Sequence, residues 1–181
     1  MIKLLDNIHI IKTGGRKCKY ECEHAIDFLR YNEVGIGIFE VGNISDMHED
    51  KLLKEACKKY GKQGSRLTKE LIRFRDEIEV GDPVIAYRLD NTVLAVGRIT
   101  SGYFFDKKRN KDSKKGIGLP HRRKVDWIVE KQNFSRYELQ DPVCKKVASR
   151  RKFITIQYDF KKIFKNPIIN KLLNRLDYIK K

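Results

Sequence analysis

The densest positive charge of the sequence lies beside a group of aromatic residues. From Asp106 to Lys124 the chain carries nine basic residues and two acidic ones. The basic residues are Lys107, Lys108, Arg109, Lys111, Lys114, Lys115, Arg122, Arg123 and Lys124. Such density suits a phosphate backbone, and sites that bind nucleobases combine cations with flat rings. Because Tyr103, Phe104 and Phe105 precede the run and Trp127 follows it, we expect nucleic-acid contact here rather than a solvated lysine-rich loop.

A second basic group lies further along the chain, where residues 142–158 contain no acidic side chain. Its candidate phosphate contacts are Lys145, Lys146, Arg150 and Arg151. His121, between Pro120 and Arg122, is a further candidate for phosphate contact, with simple packing as the alternative.

The net charge of +16 is unevenly distributed. Residues 1–80 hold 15 basic and 14 acidic side chains, whereas residues 81–181 hold 25 and 10. We therefore expect the surface that faces a polyanion in the second half. A composition of 40% hydrophobic and 35% charged residues is typical of a globular domain. No apolar run has the length of a membrane span, so we expect a cytoplasmic protein without a membrane partner.

Signals for catalysis are weak. The nearest approach to a nuclease set is Asp126, Glu130 and Lys131. A metal-dependent nuclease motif needs an acidic residue and a lysine on the same face of a strand, but Glu130 and Lys131 are adjacent and so point to opposite faces. No phosphate-cradling glycine loop followed by Lys and Ser or Thr is present. Cys18, Cys22 and His24 crowd together without a second pair of ligands elsewhere, which is a weak zinc signal. We expect no catalytic residue, no metal and no cofactor.

The rings and cations need a sheet to position them. Asp82 to Arg88 and Thr92 to Phe105 are apolar, β-branched runs joined at Leu89 to Asn91, which predicts a hairpin. Gly97 in the second run predicts a bend or a close backbone approach. Further predicted strands are 4–12, 34–41, 122–129 and 153–158, and predicted helices are 21–31, 46–60, 65–78, 141–148 and 168–179. The expected fold class is α+β, a small twisted β-barrel flanked by helices, in one domain over residues 1–181.

Four segments carry a resemblance to a known family. GDPVIAYR (Gly81 to Arg88), VGRITSGYFF (Val96 to Phe105) and GLPHRRKVDWI (Gly118 to Ile128) resemble the core of EVE domains. IGIFEVGNIS (Ile36 to Ser45) is similar to a strand and turn of the same family. EVE domains belong to the PUA-like superfamily, with YTH and ASCH domains, so the resemblance implies a PUA-like barrel.

The resemblance also implies a pocket for one base. By the resemblance, the family's Trp, which forms an aromatic wall of the pocket, falls on Ile38. The Gly that follows it falls on Phe39, and the family's Asp falls on Asn43. Proteins that read a modified base commonly flip the nucleotide into such a pocket. The candidate ring residues are Phe39, Tyr87, Tyr103 and Phe105, and the candidate hydrogen-bonding residues are Asn43, Ser45 and Asp46. Because Ile38 offers no π-face for stacking, we expect relaxed selectivity.

EVE-like domains with a GLPHRRKVDW segment resemble the N-terminal specificity modules of McrB-type restriction systems. This implies a DNA-binding module that recognises modified, for example methylated, bases and forms part of a longer chain. A GTP-dependent motor domain, which assembles into oligomers, and a separate nuclease subunit are implied by the resemblance alone. Two alternatives stay open: an RNA-binding module of the PUA-like kind, and a nuclease or nucleic-acid-modifying enzyme.

Overall fold

A mixed β-sheet organises the chain. The computed structural model describes residues 6–12, 28–37, 41–88, 92–108, 119–147, 153–167, 169–171 and 173. Its strands are β1 (Asp6–Lys12), β2 (Glu33–Ile36), β3 (Pro83–Tyr87), β4 (Thr92–Ile99), β5 (Phe104–Phe105), β6 (His121–Ser135) and β7 (Phe153–Tyr158). The sheet runs in the order β2, β6, β4, β3, β1, β7, and β5 pairs with β6. Only β1 and β3 are parallel among the described strand pairs.

Helices pack on both faces of the sheet. Helix α1 (Glu49–Tyr60) ends at Gly61, and α2 (Gly64–Ile72) runs back antiparallel after a short 3-10 turn, Gly61–Gln63. A π-helical segment, Arg73–Glu77, continues α2. Helix α3 (Asp141–Val147) lies between β6 and β7, with 3-10 turns at Arg136–Glu138 and Phe160–Lys162. Residues 28–31 are also helical.

The central strands bury side chains on both faces. One core joins Val84, Leu94 and Trp127 to Leu52 of α1 and Leu71 of α2. The second core, on the other face, joins residues of β1, β3, β4 and β7 to apolar side chains from α3 and the segment after β7. Continuous apolar runs in β3 and β4 are explained by this double coverage.

Close approach of β4 to β6 depends on Gly97. A Cβ atom at this position would collide with the carbonyl oxygen of Asp126 and with the Trp127 ring. The pairing of β4 with β6 also shifts register on either side of Val96. Such irregularities bend a sheet, so the glycine and the shifts together curl the sheet around the first core.

The predicted α+β class, a curled sheet flanked by helices, is confirmed. The strand 153–158 and the hairpin also agree with the prediction. Several bounds were wrong: β2 ends at Ile36 rather than Val41, β4 at Ile99 rather than Phe105, β6 at Ser135 rather than Val129, and α1 begins at Glu49 rather than Asp46. Helices 21–31 and 168–179 lie largely outside the described residues. In the described part of the chain, no helix is long and apolar enough to cross a membrane.

Candidate nucleic-acid interface

Three rings meet where β5 pairs with the start of β6. The Tyr103 hydroxyl lies 2.8 Å from His121 Nδ1, and the two rings stack with centroids 5.9 Å apart. The Phe105 ring lies 5.4 Å from the same imidazole, tilted by 60°. Tyr103 and Phe105 are half-buried, whereas His121 is fully buried. This ring cluster therefore has two rings at the surface and one supporting them from behind.

Burial raises the pKa of Tyr103 to about 12, against an opposing hydrogen bond from the backbone of Ile44. The phenol is therefore neutral at physiological pH. Its oxygen is already engaged by His121 and by Ile44, so the part of Tyr103 left for a ligand is its ring.

A polar turn, residues 43–47, is anchored by Ile44 in the core against which Tyr103 packs. The Ile44 side chain is fully buried in the first core, while Asn43, Ser45 and Asp46 are exposed. The carboxamide oxygen of Asn43 accepts hydrogen bonds from the Ser45 backbone N–H, at 3.1 Å, and from the Ser45 hydroxyl, at 2.8 Å. The buried Ile44 and the two hydrogen bonds between Asn43 and Ser45 thus hold the turn in one conformation.

Arg75 holds the polar turn from the π-helical segment. Its Nη1 donates to the carbonyl oxygens of Ile44, at 2.8 Å, and Met47, at 2.6 Å. Its Nε and Nη2 donate to the two carboxylate oxygens of Asp76, at 2.6 and 2.7 Å. This pairing raises the pKa of Arg75 and lowers that of Asp76. Arg75 could not be predicted as a site residue, because the sequence of a helix does not indicate which distant loop an arginine near its end will contact.

Arg122 and Arg123 are not surface cations, and the prediction that they contact phosphate is wrong. Their exposed fractions are 1% and 2%. Arg122 Nε lies 2.6 Å from a carboxylate oxygen of Glu33 on the neighbouring strand β2. Arg123 donates to the carbonyl oxygens of Phe74, Arg75 and Ser101. Burial lowers the pKa of Arg123 to about 10, so it stays charged in the interior at neutral pH.

Two other predicted contacts are also corrected by burial. His121 is fully buried in the ring cluster and cannot contact phosphate in this arrangement. Tyr87 is 2% exposed and belongs to the second core, on the opposite face of the sheet from Tyr103. Its ring packs against the ammonium group of Lys12, 5.3 Å from the ring centroid. Tyr87 is therefore not part of a pocket with Tyr103.

Five of the predicted backbone contacts are exposed. Lys107 and Lys108 follow β5 directly, and Lys124 projects from β6 three residues after His121. The α3 lysines, Lys145 and Lys146, lie on a helix whose Val143 packs into the second core. The predicted cations therefore divide between the two sides of the sheet. Ile38, Phe39, Arg109, Lys111, Lys114, Lys115, Arg150 and Arg151 lie outside the described residues.

A buried polar group on β1, between β3 and β7, was also missed from the sequence. His9 is fully buried, with Nδ1 3.1 Å from the Thr155 hydroxyl and Nε2 2.8 Å from Asp82 Oδ2. The same oxygen of Asp82 accepts the Glu79 backbone N–H at 2.9 Å. Burial lowers the pKa of His9, and the hydrogen bond with Asp82 opposes this. A neutral imidazole thus ties the turn before β3 to β1 and β7.

No group of three or more His, Cys, Asp or Glu side chains in the part of the chain that the structure describes has the arrangement needed to hold a metal ion. Cys18, Cys22 and His24 lie outside the described residues.

Comparison with known proteins gives a family but no activity. The family model described as Domain of unknown function (DUF8426) matches residues 13–148, so the chain belongs to that family. No curated protein matches the sequence.

The solved structures similar to the chain include two YTH domains, both at a TM-score of 0.42. One is the YTH domain of the Zygosaccharomyces rouxii MRB1 protein in complex with N6-methyladenosine RNA. It is 12% identical, and the alignment covers 97% of this chain and 90% of that one. The other is the Pho92 YTH domain in complex with m6A, 11% identical, with 96% of this chain and 82% of that one covered.

Proposed function

We propose that this protein is a nucleic-acid-binding specificity module that recognises a modified base in DNA, by flipping the nucleotide against Tyr103 and Phe105. The observation that carries the proposal is the polar turn whose Ile44 packs in the same core as Tyr103 of the ring cluster. Exposed hydrogen-bonding groups and partly exposed rings lie together, with Lys107 and Lys108 following in the chain. Rings, a polar edge and cations are the three components that binding a flipped base requires.

The rings provide the affinity for the base. Flipping costs a few kcal/mol of lost stacking and pairing in the duplex. Stacking of one base on an aromatic side chain returns about 1–3 kcal/mol. Two half-buried rings backed by a fixed imidazole therefore recover a large part of that cost. The cost itself is smallest where the target pair is already weakened.

The polar turn provides a defined hydrogen-bond donor. The Ser45 backbone N–H can only donate, so the atom of the Asn43 side chain that faces it must be the oxygen. The Asn43 NH2 group is then directed away from Ser45, and it makes no hydrogen bond to any described residue. A base bound here should present an acceptor, such as an unprotonated ring nitrogen or a carbonyl oxygen, to Asn43.

The charge distribution provides general affinity for the backbone. Residues 81–181 hold 25 basic and 10 acidic side chains, and Lys107, Lys108 and Lys124 are exposed near the ring cluster in the chain. Such contacts act on every sequence alike and weaken with salt. General affinity and base selectivity should therefore be separable by mutation.

The wider context is proposed from the resemblance of the GLPHRRKVDW segment. In a McrB-type restriction system this module would select modified DNA for a GTP-dependent motor domain and a separate nuclease subunit. Relaxed selectivity is expected because Ile38 replaces an aromatic wall.

Competition binding tests the proposal. A labelled duplex with one methylated base is competed with the same duplex unmodified, and with RNA of matched length with and without N6-methyladenosine. Preference for modified duplex DNA supports the proposal. Clear preference for RNA replaces it with the RNA-binding alternative, and equal affinity for modified and plain probes of both kinds refutes recognition of a modification.

A further inference from the structure

The polar turn is held in place by a side chain from a different element. Arg75 donates to two carbonyl oxygens of the turn, those of Ile44 and Met47, and forms a two-pronged pair with Asp76. The guanidinium group is thereby bonded through three of its nitrogen atoms. A planar group bonded in this way has one orientation, and it transmits that orientation to the turn.

The backbone that carries Arg75 is itself held by hydrogen bonds from the buried Arg123 side chain. Arg75 lies in the π-helical segment, a geometry that is rare and often occurs at functional sites. Buried Arg123 donates to the carbonyl oxygens of Phe74, at 2.9 Å, and Arg75, at 2.5 Å. A third bond from Arg123 reaches the carbonyl oxygen of Ser101, at 3.2 Å, two residues before Tyr103.

These contacts form a closed circuit around the candidate site. The turn is bonded to Arg75, the Arg75 backbone to Arg123, and Arg123 to Ser101. Packing closes the circuit, because the Tyr103 ring packs against the core that contains Ile44. The distance between the polar turn and the rings is thus fixed by covalent segments and charge-assisted hydrogen bonds.

We propose that Arg75 is a positioning residue that sets base selectivity by fixing the Asn43 side chain at one distance from the rings of Tyr103 and Phe105. This inference rests on the proposed function. Arg75 would not touch the base itself, since its donors are directed at the turn and at Asp76. Loss of the clamp should lower discrimination between modified and plain DNA, and leave the affinity for plain DNA and its salt dependence nearly unchanged.

The test compares Arg75→Lys with Arg73→Lys as a matched control. Lysine keeps the charge but cannot bond two carbonyl oxygens and a carboxylate together. Arg73 belongs to the same π-helical segment, pairs with Glu77 at 2.8 Å and lies over the Phe153 ring, away from the turn. A second variant, Asp76→Asn, keeps Arg75 and weakens only its carboxylate partner, so it should show a smaller effect in the same direction.

Two readouts are measured for each variant: the ratio of Kd values for plain and modified duplex, and hydrogen exchange of the Ser45 and Met47 amides in the free protein. For Arg75→Lys we expect the ratio to fall about tenfold, the change that corresponds to one charge-assisted hydrogen bond. Exchange at the turn should accelerate, and the salt slope should not change. Arg73→Lys should match the wild type in both.

The possible failures are distinguishable. If wild-type protein does not discriminate modified from plain probes, the proposed function fails and this inference fails with it. If the wild type discriminates and Arg75→Lys retains the full ratio although exchange at the turn is faster, the positioning role alone is refuted. If Arg75→Lys lowers the ratio no more than Arg73→Lys does, the effect comes from the π-helical segment as a whole, and the positioning role of Arg75 is refuted. If Arg75→Lys does not fold, Asp76→Asn decides, and an unchanged ratio in that variant overturns the inference.

Discussion

Two neighbouring residues of β6 should give opposite results when mutated. Arg123 is buried with three hydrogen bonds to backbone carbonyl oxygens, whereas Lys124, the next residue, is exposed. Arg123→Met keeps much of the side-chain volume and removes all three donors. Lys124→Gln removes one charge at the surface. The pair separates a structural cation from a phosphate-binding one on a single strand.

The expected magnitudes follow from the contacts. Each buried carbonyl oxygen left without a donor costs about 1–3 kcal/mol. Loss of three donors should therefore lower the free energy of unfolding by roughly 3 kcal/mol or more, even after the relief of burying one charge less. Lys124→Gln should change stability by no more than about 0.5 kcal/mol. It should reduce the slope of log K against log salt by about 0.9, the contribution of one phosphate contact in B-DNA.

Urea denaturation gives the stability of each variant, and fluorescence anisotropy at several salt concentrations gives its slope. Binding by Arg123→Met is measured without urea, at a temperature at which circular dichroism shows that the variant is folded. Under those conditions its salt slope should equal that of the wild type. Wild-type stability together with a flattened slope in Arg123→Met would refute the reasoning, because Arg123 would then be contacting phosphate rather than holding the π-helical segment.

Three further outcomes are expected. Replacing Lys107 and Lys108 with Gln should weaken binding to all sequences alike and reduce the slope of log K against log salt by about 1.8. The same measurement is made on Gln variants of the α3 lysines, and a larger loss of binding in those variants would place the nucleic acid on the other side of the sheet. Asn43→Asp replaces a donor with a charged acceptor, so affinity for the modified duplex should fall about tenfold or more in competition binding; unchanged affinity would contradict the donor role. Because folded His9 has a pKa below 6.5, the unfolded chain binds the proton first as pH falls, so stability should decline below about pH 6.5 and His9→Gln should flatten that decline; equal urea midpoints against pH for both proteins would count against this.

Strand patterns in the sequence predicted much of the fold because their side chains alternate or are uniformly apolar. Residues 153–158 were bounded correctly by polar neighbours, and the β3–β4 hairpin by its turn residues. The break between β4 and β5 was missed, because Thr100, Ser101 and Gly102 interrupt the apolar run only briefly. This error placed Tyr103 within a strand, whereas it directly precedes β5; its proximity to Phe105 was predicted.

The candidate site was harder to predict because residue type alone does not report burial. Charge predicted Arg122 and Arg123 at the surface, yet β6 pairs with β2 on one side and with β4 and β5 on the other. The Arg123 side chain is covered by the π-helical segment, and that of Arg122 lies against Glu33 and Leu119, whereas Lys124 on the same strand is exposed. Aromatic type likewise predicted Tyr87 in the pocket, but a ring on the opposite face of the same sheet meets a different core.

The basic motif at the start of β6 therefore performs several separate tasks. His121 supports the ring cluster, Arg122 pairs with Glu33 on β2, and Arg123 holds the π-helical segment. Only Lys124 of the four is exposed. Three side chains of the motif bond within the protein, so the motif mainly builds the architecture of the site. Selection of a base would depend on that architecture, while attraction to the phosphate backbone would depend on lysines outside the motif as well as on Lys124.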